Sequence, residues 1–184
     1  MTAQTRSMVL VVDSCVAQSA GHNETSTRAI SCRDILQGIL AISHQIAFVP
    51  RLLEEWRPHR SGFTAKWLIQ MYGRKKVIVK EFENAELLAA RIEQPLAEKH
   101  AGDEPQQTAI LALVRKDTCL VEAALIAEKM VISVDQRVWN HLVGVVDDVP
   151  ELKGLSIISP EGDRIELNEW LNGGPIPGEA IRFF

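Results

Sequence analysis

Two apolar segments of the sequence end in an aspartate. Residues 8–12, Met-Val-Leu-Val-Val, precede Asp13, and residues 130–134, Met-Val-Ile-Ser-Val, precede Asp135. Short runs of this kind are typical of strands that are buried on both faces of a parallel sheet. Oxygen ligands without cysteine or histidine partners are those that Mg²⁺ and Mn²⁺ prefer. The two aspartates are therefore candidate ligands of a divalent metal ion.

Three further carboxylates stand beside predicted elements. Asp117 lies where an apolar helix is predicted to begin, and Glu54 and Glu55 follow the apolar run 46–49 by about one helical turn. Neighbouring residues of a helix point about 100° apart, so only one of the two glutamates can face a common site squarely.

Such a set of acids favours a particular chemistry. Carboxylates that are packed together repel one another, and some stay protonated at neutral pH unless a cation lies among them. A metal ion can lower the pKa of a bound water and stabilise charge on a phosphoryl oxygen, so that water is the nucleophile. The sequence contains no convincing Ser-His-Asp arrangement as an alternative. Each acid also has a simpler explanation, as a turn residue, a helix N-cap or an exposed charge near a helix start.

The elements that must position these acids alternate along the chain. Apolar runs predict strands, and apolar residues at helical spacing predict helices, the first long one capped by Ser26 or Thr27. The predicted strands are residues 8–12, 46–49, 76–79, 130–134 and 155–158. The predicted helices are about 26–43, 51–56, 63–72, 84–92, 108–114, 117–129, 137–143 and 165–171, and the predicted loops include 19–25 and 95–105.

This alternation predicts an α/β fold with a mostly parallel central sheet and helices on both faces. In such sheets the ligand site lies outside the carboxyl ends of the strands, where the strand order reverses. The candidate acids all fall at that edge of the predicted sheet. The sequence therefore predicts one acidic metal site there.

Composition and charge narrow the class of protein. The chain has 184 residues, of which 46% are hydrophobic and 24% charged, which is typical of a globular domain with a sizeable core. The net charge is −4, yet residues 51–80 carry eight basic and two acidic residues. That stretch is either a surface for phosphate groups or an exposed helical face.

Cysteine usage and hydropathy bear on the compartment. The three cysteines, Cys15, Cys32 and Cys119, have no paired metal-binding spacing, and buried free thiols are expected. No apolar run approaches the roughly 18 residues of a membrane span, and the polar first residues do not resemble a secretory signal. We therefore expect a cytoplasmic protein that does not enter the membrane.

Four segments, taken in order, resemble the motifs of PIN-domain ribonucleases. Residues 11–14, Val-Val-Asp-Ser, resemble the first motif, a strand ending in aspartate followed by Ser or Thr. Residues 48–56 resemble the second, a strand, a proline and a helix whose glutamate precedes a large apolar residue. Residues 116–124 resemble the third, an aspartate that opens an alanine-rich helix. Residues 131–135 resemble the fourth, a strand, a serine and an aspartate two residues later.

The resemblance covers about residues 8–160 and implies both a fold and a site. It implies that residues 1–184 form a single PIN-like domain of three layers. PIN domains are typically metal-dependent nucleases that use Mg²⁺ or Mn²⁺, which implies a metal-activated water that cleaves RNA phosphodiester bonds. Glu55 is chosen over Glu54 because the family glutamate precedes the large apolar residue, here Trp56. The implied catalytic and metal-binding residues are Asp13, Glu55, Asp117 and Asp135, supported by Ser14 and Ser133.

The resemblance also implies partners. The expected substrate is RNA, and the basic residues that follow the second motif are the candidate contacts to its backbone, namely Arg51, Arg57, Arg60 and Lys66. Many PIN domains are toxins paired with an antitoxin, so an antitoxin or another protein partner, or a homodimer, is a further expectation. A nuclease of RNA turnover or of defence is an alternative to a toxin.

Two other functions remain open. The first is a PIN-like module that binds RNA or protein with little or no catalysis. The second is a phosphotransferase or phosphatase with an aspartyl nucleophile, of the haloacid-dehalogenase type. That type has a second aspartate two residues after the first, where this chain has Cys15.

Overall fold

Six strands form one sheet in which every neighbouring pair is parallel. A computed structural model of the chain describes residues 7–21, 26–59, 61–173 and 182–183. The strand order is β3-β2-β1-β4-β5-β6, so β1 lies in the middle. The strands are β1 Val9–Val12, β2 Gln45–Phe48, β3 Val77–Val79, β4 Met130–Ile132, β5 Ser156–Ile158 and β6 Arg182–Phe183.

Helices flank this sheet and complete a three-layer α/β arrangement, as predicted. The helices α1, α2 and α4 contact one another, and α6 packs against both α5 and α7. None of the described helices is long and apolar enough to cross a membrane. The helices are α1 Ser14–Gly21, α2 Thr27–Ile42, α3 Pro50–Trp56, α4 Gly62–Gly73, α5 Ala85–Lys99, α6 Glu104–Leu125, α7 Gln136–Val143 and α8 Arg164–Gly173.

Local sequence explains where most of these helices begin. The hydroxyl of Ser26 accepts a hydrogen bond from the backbone of α2, and that of Ser61 does the same for α4. The carboxylate of Asp103 caps α6 in the same way. Proline stands in the first turn of α3 and of α6, where its missing N–H costs no helical hydrogen bond.

Three predictions about helices were wrong. Residues 14–21 form α1 rather than leading into a loop that includes residues 19–21, and Val16 and Ala20 are buried. The predicted break between residues 114 and 117 is absent, because α6 is one helix of 22 residues. The predicted loop from residue 95 is helical up to Lys99, with Pro95 inside α5 and Leu96 buried. In each case, burial of the apolar face stabilises the helix by more than the local polar residues or the proline destabilise it.

Parallel pairing sets which strand ends meet. Val12 lies beside Ile132 in the pairing of β1 with β4, and Leu10 lies beside Ile46 in the pairing of β1 with β2. The carboxyl ends of β1, β2 and β4 therefore open on the same edge of the sheet. Asp13 follows β1 at that edge, and Asp135 follows β4.

A buried histidine closes the opposite, amino-terminal edge of β1. The backbone N–H of Met8 donates to Nδ1 of His44 at 3.1 Å, and Nε2 lies 2.7 Å from the carbonyl oxygen of Leu171. This pairing requires the neutral ring with its proton on Nε2. Burial lowers the pKa of His44 below its ordinary value.

We expect His44 to make folding stability depend on pH. Between the lowered pKa of the native state and the ordinary pKa of about 6.5, the unfolded chain binds a proton that the native protein does not. The free energy of unfolding should therefore fall as the pH drops below about 6.5. Urea titrations at pH 7.5 and pH 5.5 should show a smaller loss for His44→Gln than for the wild type. An equal loss in both proteins would contradict this assignment.

Candidate functional site

Asp13 is held between β1 and β4 by hydrogen bonds to its side chain and backbone. The side chain Oδ2 accepts from Oγ of Ser133 at 2.7 Å, and Oδ1 accepts from the backbone N–H of Cys15 at 3.1 Å. The backbone N–H of Asp13 donates to the carbonyl oxygen of Ile132 at 2.9 Å. Asp13 is only 7% exposed, and these contacts fix its carboxylate at the carboxyl edge of the sheet.

Ser133 connects two of the predicted acids. Its hydroxyl donates to Asp13 and accepts from the backbone N–H of Asp135 at 3.1 Å. The other residue expected to support the site, Ser14, makes a longer contact of 3.5 Å from its hydroxyl to Asp13. The short buried bond from Ser133 therefore fixes the geometry more strongly than Ser14 does.

Asp135 caps a helix and also lies at the carboxyl edge of the sheet with the other candidate acids. Its Oδ1 accepts from the backbone N–H of Arg137 at 3.1 Å and so caps α7. The Arg137 guanidinium binds the same carboxylate, with Nη2 2.8 Å from Oδ2. This hydrogen bond from Arg137 lowers the pKa of Asp135 below its ordinary value. Asp135 is thus ionised and already holds one cationic partner.

The glutamate that faces the site is Glu55. Its neighbour Glu54 is exposed and forms an ion pair of 2.6 Å with Arg57. Glu55 is partly buried, and its Oε1 lies 3.6 Å from Sγ of Cys119. Burial raises the pKa of Glu55, and the charge of Asp13 raises it further. The structure therefore places Glu55, not Glu54, within the electrostatic reach of Asp13.

Trp56 explains why α3 presents Glu55 in this direction. Its side chain is fully buried, and its indole N–H donates to the carbonyl oxygen of Val12 at 3.0 Å. The ring also packs edge-on against Phe48 and stacks with Trp67. Since Val12 directly precedes Asp13, this hydrogen bond ties the rotation of α3 to the end of β1.

Asp117 lies within α6 rather than at its start. The prediction that it opens a helix was therefore wrong, because α6 begins 13 residues earlier, at Glu104. Asp117 is partly buried, and its pKa is raised to about 7, first by burial and then by the charge of Asp13. Glu55 and Asp135 raise it further, and Lys116 opposes them. The predicted acids thus lie close enough for Asp117 to experience the charge of the other three.

The chemistry of these donors fits a hard divalent cation, but their present positions do not form a complete ligand set. Among the described residues, no three His, Cys, Asp or Glu side chains are grouped so as to hold a metal ion. Asp135 is in addition bound to Arg137. Were a cation bound, its candidate ligands would be Asp13, Glu55, Asp117 and Asp135, directly or through water.

Two neutral thiols border the acids, which the sequence analysis did not foresee. Cys119 lies beside Glu55, and Cys15 lies with its Sγ 3.7 Å from Oγ of Ser133. Burial raises the pKa of each thiol well above its ordinary value. The only hint in the sequence is position, since Cys15 and Cys119 each stand two residues after a predicted ligand.

The predicted basic surface is only partly beside the acids. Arg51 affects the pKa of Glu55, and its guanidinium donates to the carbonyl oxygens of Arg115 and Lys116 at 2.8 and 3.0 Å. Arg57 is paired with Glu54, and Lys66 lies on an exposed face of α4. Arg60 is outside the described residues.

The cations nearest the acids include two that sequence reasoning missed. Lys116 affects the pKa of Glu55, Asp117 and Asp135, and Arg137 binds Asp135 directly. Arg137 also lines a polar depression of about 370 Å³ that is formed mainly by α1 and the start of α7. The same depression contains the exposed Arg28.

Comparison of the chain with protein-family models, with curated proteins and with solved structures finds no match. The function is therefore argued from the site itself.

We expect Asp117→Asn to stabilise the protein when divalent cations are absent. The raised pKa means that the native protein binds more protons than the unfolded chain between about pH 4 and pH 7, so ionisation of Asp117 costs stability above pH 7. At pH 8 the variant should gain roughly 1 kcal/mol or more after solvent screening is allowed for, and the gain should shrink toward pH 4.

Urea unfolding with a chelator measures this effect. The matched control is Asp148→Asn at an exposed position, where the free energy of unfolding should change by less than about 0.5 kcal/mol. Destabilisation by Asp117→Asn at pH 8 would show that its carboxylate makes a stabilising contact instead.

Proposed function

We propose that this protein is a metal-dependent endoribonuclease of the PIN-like type. The observation that carries the proposal is the convergence of Asp13, Glu55, Asp117 and Asp135, which four different segments bring to one edge of a parallel sheet. The pKa of about 7 at Asp117 makes this set electrostatically costly without a cation. Such a cost does not help the chain to fold, and it is typical of residues that bind a ligand or react.

The residues of the site divide into distinct roles in this proposal. A bound divalent cation would supply charge stabilisation at a phosphoryl oxygen and a lower pKa for a water molecule. Asp13, fixed by Ser133, supplies the most rigid carboxylate. Glu55, Asp117 and Asp135 would be the further oxygen ligands of that cation.

RNA as the substrate is supported by the cations that surround the acids. Lys116 lies beside the acids. Arg137, paired with Asp135, and Arg28, paired with Glu161, line the neighbouring polar depression. A phosphate backbone is attracted to such a rim, whereas the acids alone would repel it. The resemblance of the four motifs to those of PIN domains favours RNA over other phosphodiesters.

A second function has its own supporting observation. The Arg137–Asp135 ion pair occupies one of the predicted ligands, and the described acids do not form a complete metal-binding group. A module that binds RNA or a protein partner without catalysis would need neither a free Asp135 nor a complete set of metal ligands. The two functions differ in whether an RNA strand is cut, which makes the decisive measurement simple.

We expect cleavage of end-labelled single-stranded RNA in the presence of Mg²⁺ or Mn²⁺ and none with a chelator. Asp13→Asn removes the buried carboxylate charge and should reduce the rate by at least about 100-fold, the scale of losing a general base or a charge-stabilising group. Glu55→Gln should act in the same direction.

Glu54→Gln is the matched control, because it removes the same charge from the adjacent residue, which faces Arg57 instead of the acids. Its rate should stay close to that of the wild type. RNA that binds but stays intact with every divalent ion would support the non-catalytic module. Equal rates for Glu54→Gln and Glu55→Gln would contradict the proposed site.

We expect Arg137→Gln to weaken RNA binding while leaving divalent-cation binding intact or improved, because Asp135 is freed from a competing partner. The log–log salt dependence of RNA affinity should fall by about 0.7 for each phosphate that the variant no longer neutralises. Arg91→Gln is the control, because Arg91 pairs with Glu151, which precedes β5 at the opposite edge of the sheet. Fluorescence anisotropy over a range of salt concentrations measures the difference, and equal slopes for the two variants would contradict this role of Arg137.

A further inference from the structure

A second pocket opens on the other side of the acids, and the proposed chemistry makes no use of it. It has a volume of about 280 Å³ and lies between the start of α3, the segment after β3, and helices α5 and α6. One wall is apolar and the other is charged. Its lining includes Arg51, Phe82, Ala85, Glu86, Ala89 and Glu122.

Glu122 is the unusual residue of this pocket. It lies in the last turn of α6 and is only 6% exposed, which is rare for a glutamate without an ion-pair partner. Among the described residues, none forms a hydrogen bond or an ion pair with its carboxylate, and its oxygens are not sealed off from the pocket. Burial raises the pKa of Glu122, while the charge of Arg51 lowers it. The carboxylate is thus available to a ligand that supplies hydrogen-bond donors.

The position of the pocket relates it to the acids. Val49 and Pro50 of its lining follow β2, and Glu81 and Phe82 follow β3, so the pocket lies at the same carboxyl edge of the sheet as Asp13. Arg51 joins the two, because it affects the pKa of both Glu55 and Glu122. Glu122 is displaced from Asp117 by about 7.5 Å along the axis of α6 and by about 140° around it, at a rise of 1.5 Å and about 100° per residue.

Three features therefore follow one another across this edge of the sheet, in the direction from β3 to β4. The pocket lies beyond β3 and β2, the acids lie around the end of β1, and the polar depression with Arg137 follows β4. A single strand of RNA that crosses the edge would meet all three. A nucleotide that flanks the bond to be cut would then place its base at the pocket.

We propose that this pocket is a base subsite and that Glu122 selects guanine. The inference rests on the proposed ribonuclease function and names the specificity of that site. A carboxylate only accepts hydrogen bonds, and the Watson–Crick edge of guanine offers two neighbouring donors, the N1–H and the 2-amino group. Adenine, cytosine and uracil each present an acceptor where guanine presents one of these donors.

The apolar wall fits the same ligand. Phe82 is partly buried and offers a ring on which a base can stack, and Ala85 and Ala89 leave room beside it. Stacking on an aromatic side chain is tolerant of sequence, so it contributes affinity and not selectivity. The preference for one base over the others then depends on Glu122.

Binding of free mononucleotides tests the inference without cleavage. Titration of the wild-type protein with GMP, IMP, AMP, CMP and UMP, in the presence of a chelator, should show the tightest binding for GMP. IMP lacks the 2-amino group and should bind more weakly than GMP. A bidentate pair corresponds to a preference of about 5- to 150-fold over the wrong base.

Glu122→Gln should change the order of the bases. Glutamine offers one donor and one acceptor, which match adenine, so the preference for GMP should disappear and AMP should bind as well or better. Glu83→Gln removes the same charge from an exposed residue after β3 that does not line the pocket, and it should keep the GMP preference.

The outcomes separate the subsite from the ribonuclease proposal. A GMP preference without any RNA cleavage would retain the subsite and refute the nuclease, and cleavage without base preference would do the reverse. Equal binding of all five nucleotides, or equal behaviour of the two variants, would overturn the subsite. Binding of methylguanidinium in place of GMP would overturn it as well and indicate a cationic side chain of a protein partner.

Discussion

The architecture of the site depends on a single buried carboxylate at the end of the central strand. Asp13 is too buried to be hydrated freely, so its oxygens must find donors in the protein. They find them on Ser133 and on the backbone of Cys15, and the parallel pairing of β1 with β4 brings the serine within reach. Trp56 reaches the same strand end from the other side. The hydrogen bonds that satisfy Asp13 and the adjoining backbone therefore also fix β4 and α3, and with them Asp135 and Glu55.

The second determinant of the site is electrostatic repulsion among its carboxylates, which the fold tolerates. Asp117 stands in the middle of a long helix, where a polar residue without charge would serve helix formation equally well. Burial, and then the charge of Asp13, raise its pKa to about 7, so ionisation of Asp117 costs stability near physiological pH. Glu122, one and a half turns further along α6, is a second buried acid on the same helix. Buried acids with raised pKa values occur often where proteins bind or react, and α6 carries two of them.

Much of this arrangement could be predicted from the sequence. The apolar runs located the five longer strands within two residues, because a strand buried on both faces has a simple pattern, and Ser26 marked the start of α2. The placement of Asp13 and Asp135 at one edge could be predicted because the carboxyl ends of parallel strands lie at the same edge of a sheet. The choice of Glu55 over Glu54 agrees with the side that faces Asp13, because helix geometry and the neighbouring Trp56 decide it. The single-domain organisation remains a prediction.

What the sequence did not reveal depends on contacts between distant segments. The polar residues 115–117 looked like the end of a helix, but the flanking Val114 and Thr118 are buried and the helix continues. The enclosure of Glu122 is visible only once α5 and the start of α3 pack against α6.

The two thiols beside the acids bear on which metal ions such a site would accept. A thiolate is a strong ligand for soft ions such as Zn²⁺ and Cu⁺, whereas a protonated thiol is a poor one. Burial keeps Cys15 and Cys119 protonated, and the adjacent carboxylates make the loss of a proton still more costly. At neutral pH, sulfur therefore lies next to the oxygen donors as a neutral thiol. The same suppression of thiolate protects both side chains from oxidants, so the neighbourhood of the acids would tolerate oxidative stress that inactivates ordinary cysteine-lined sites.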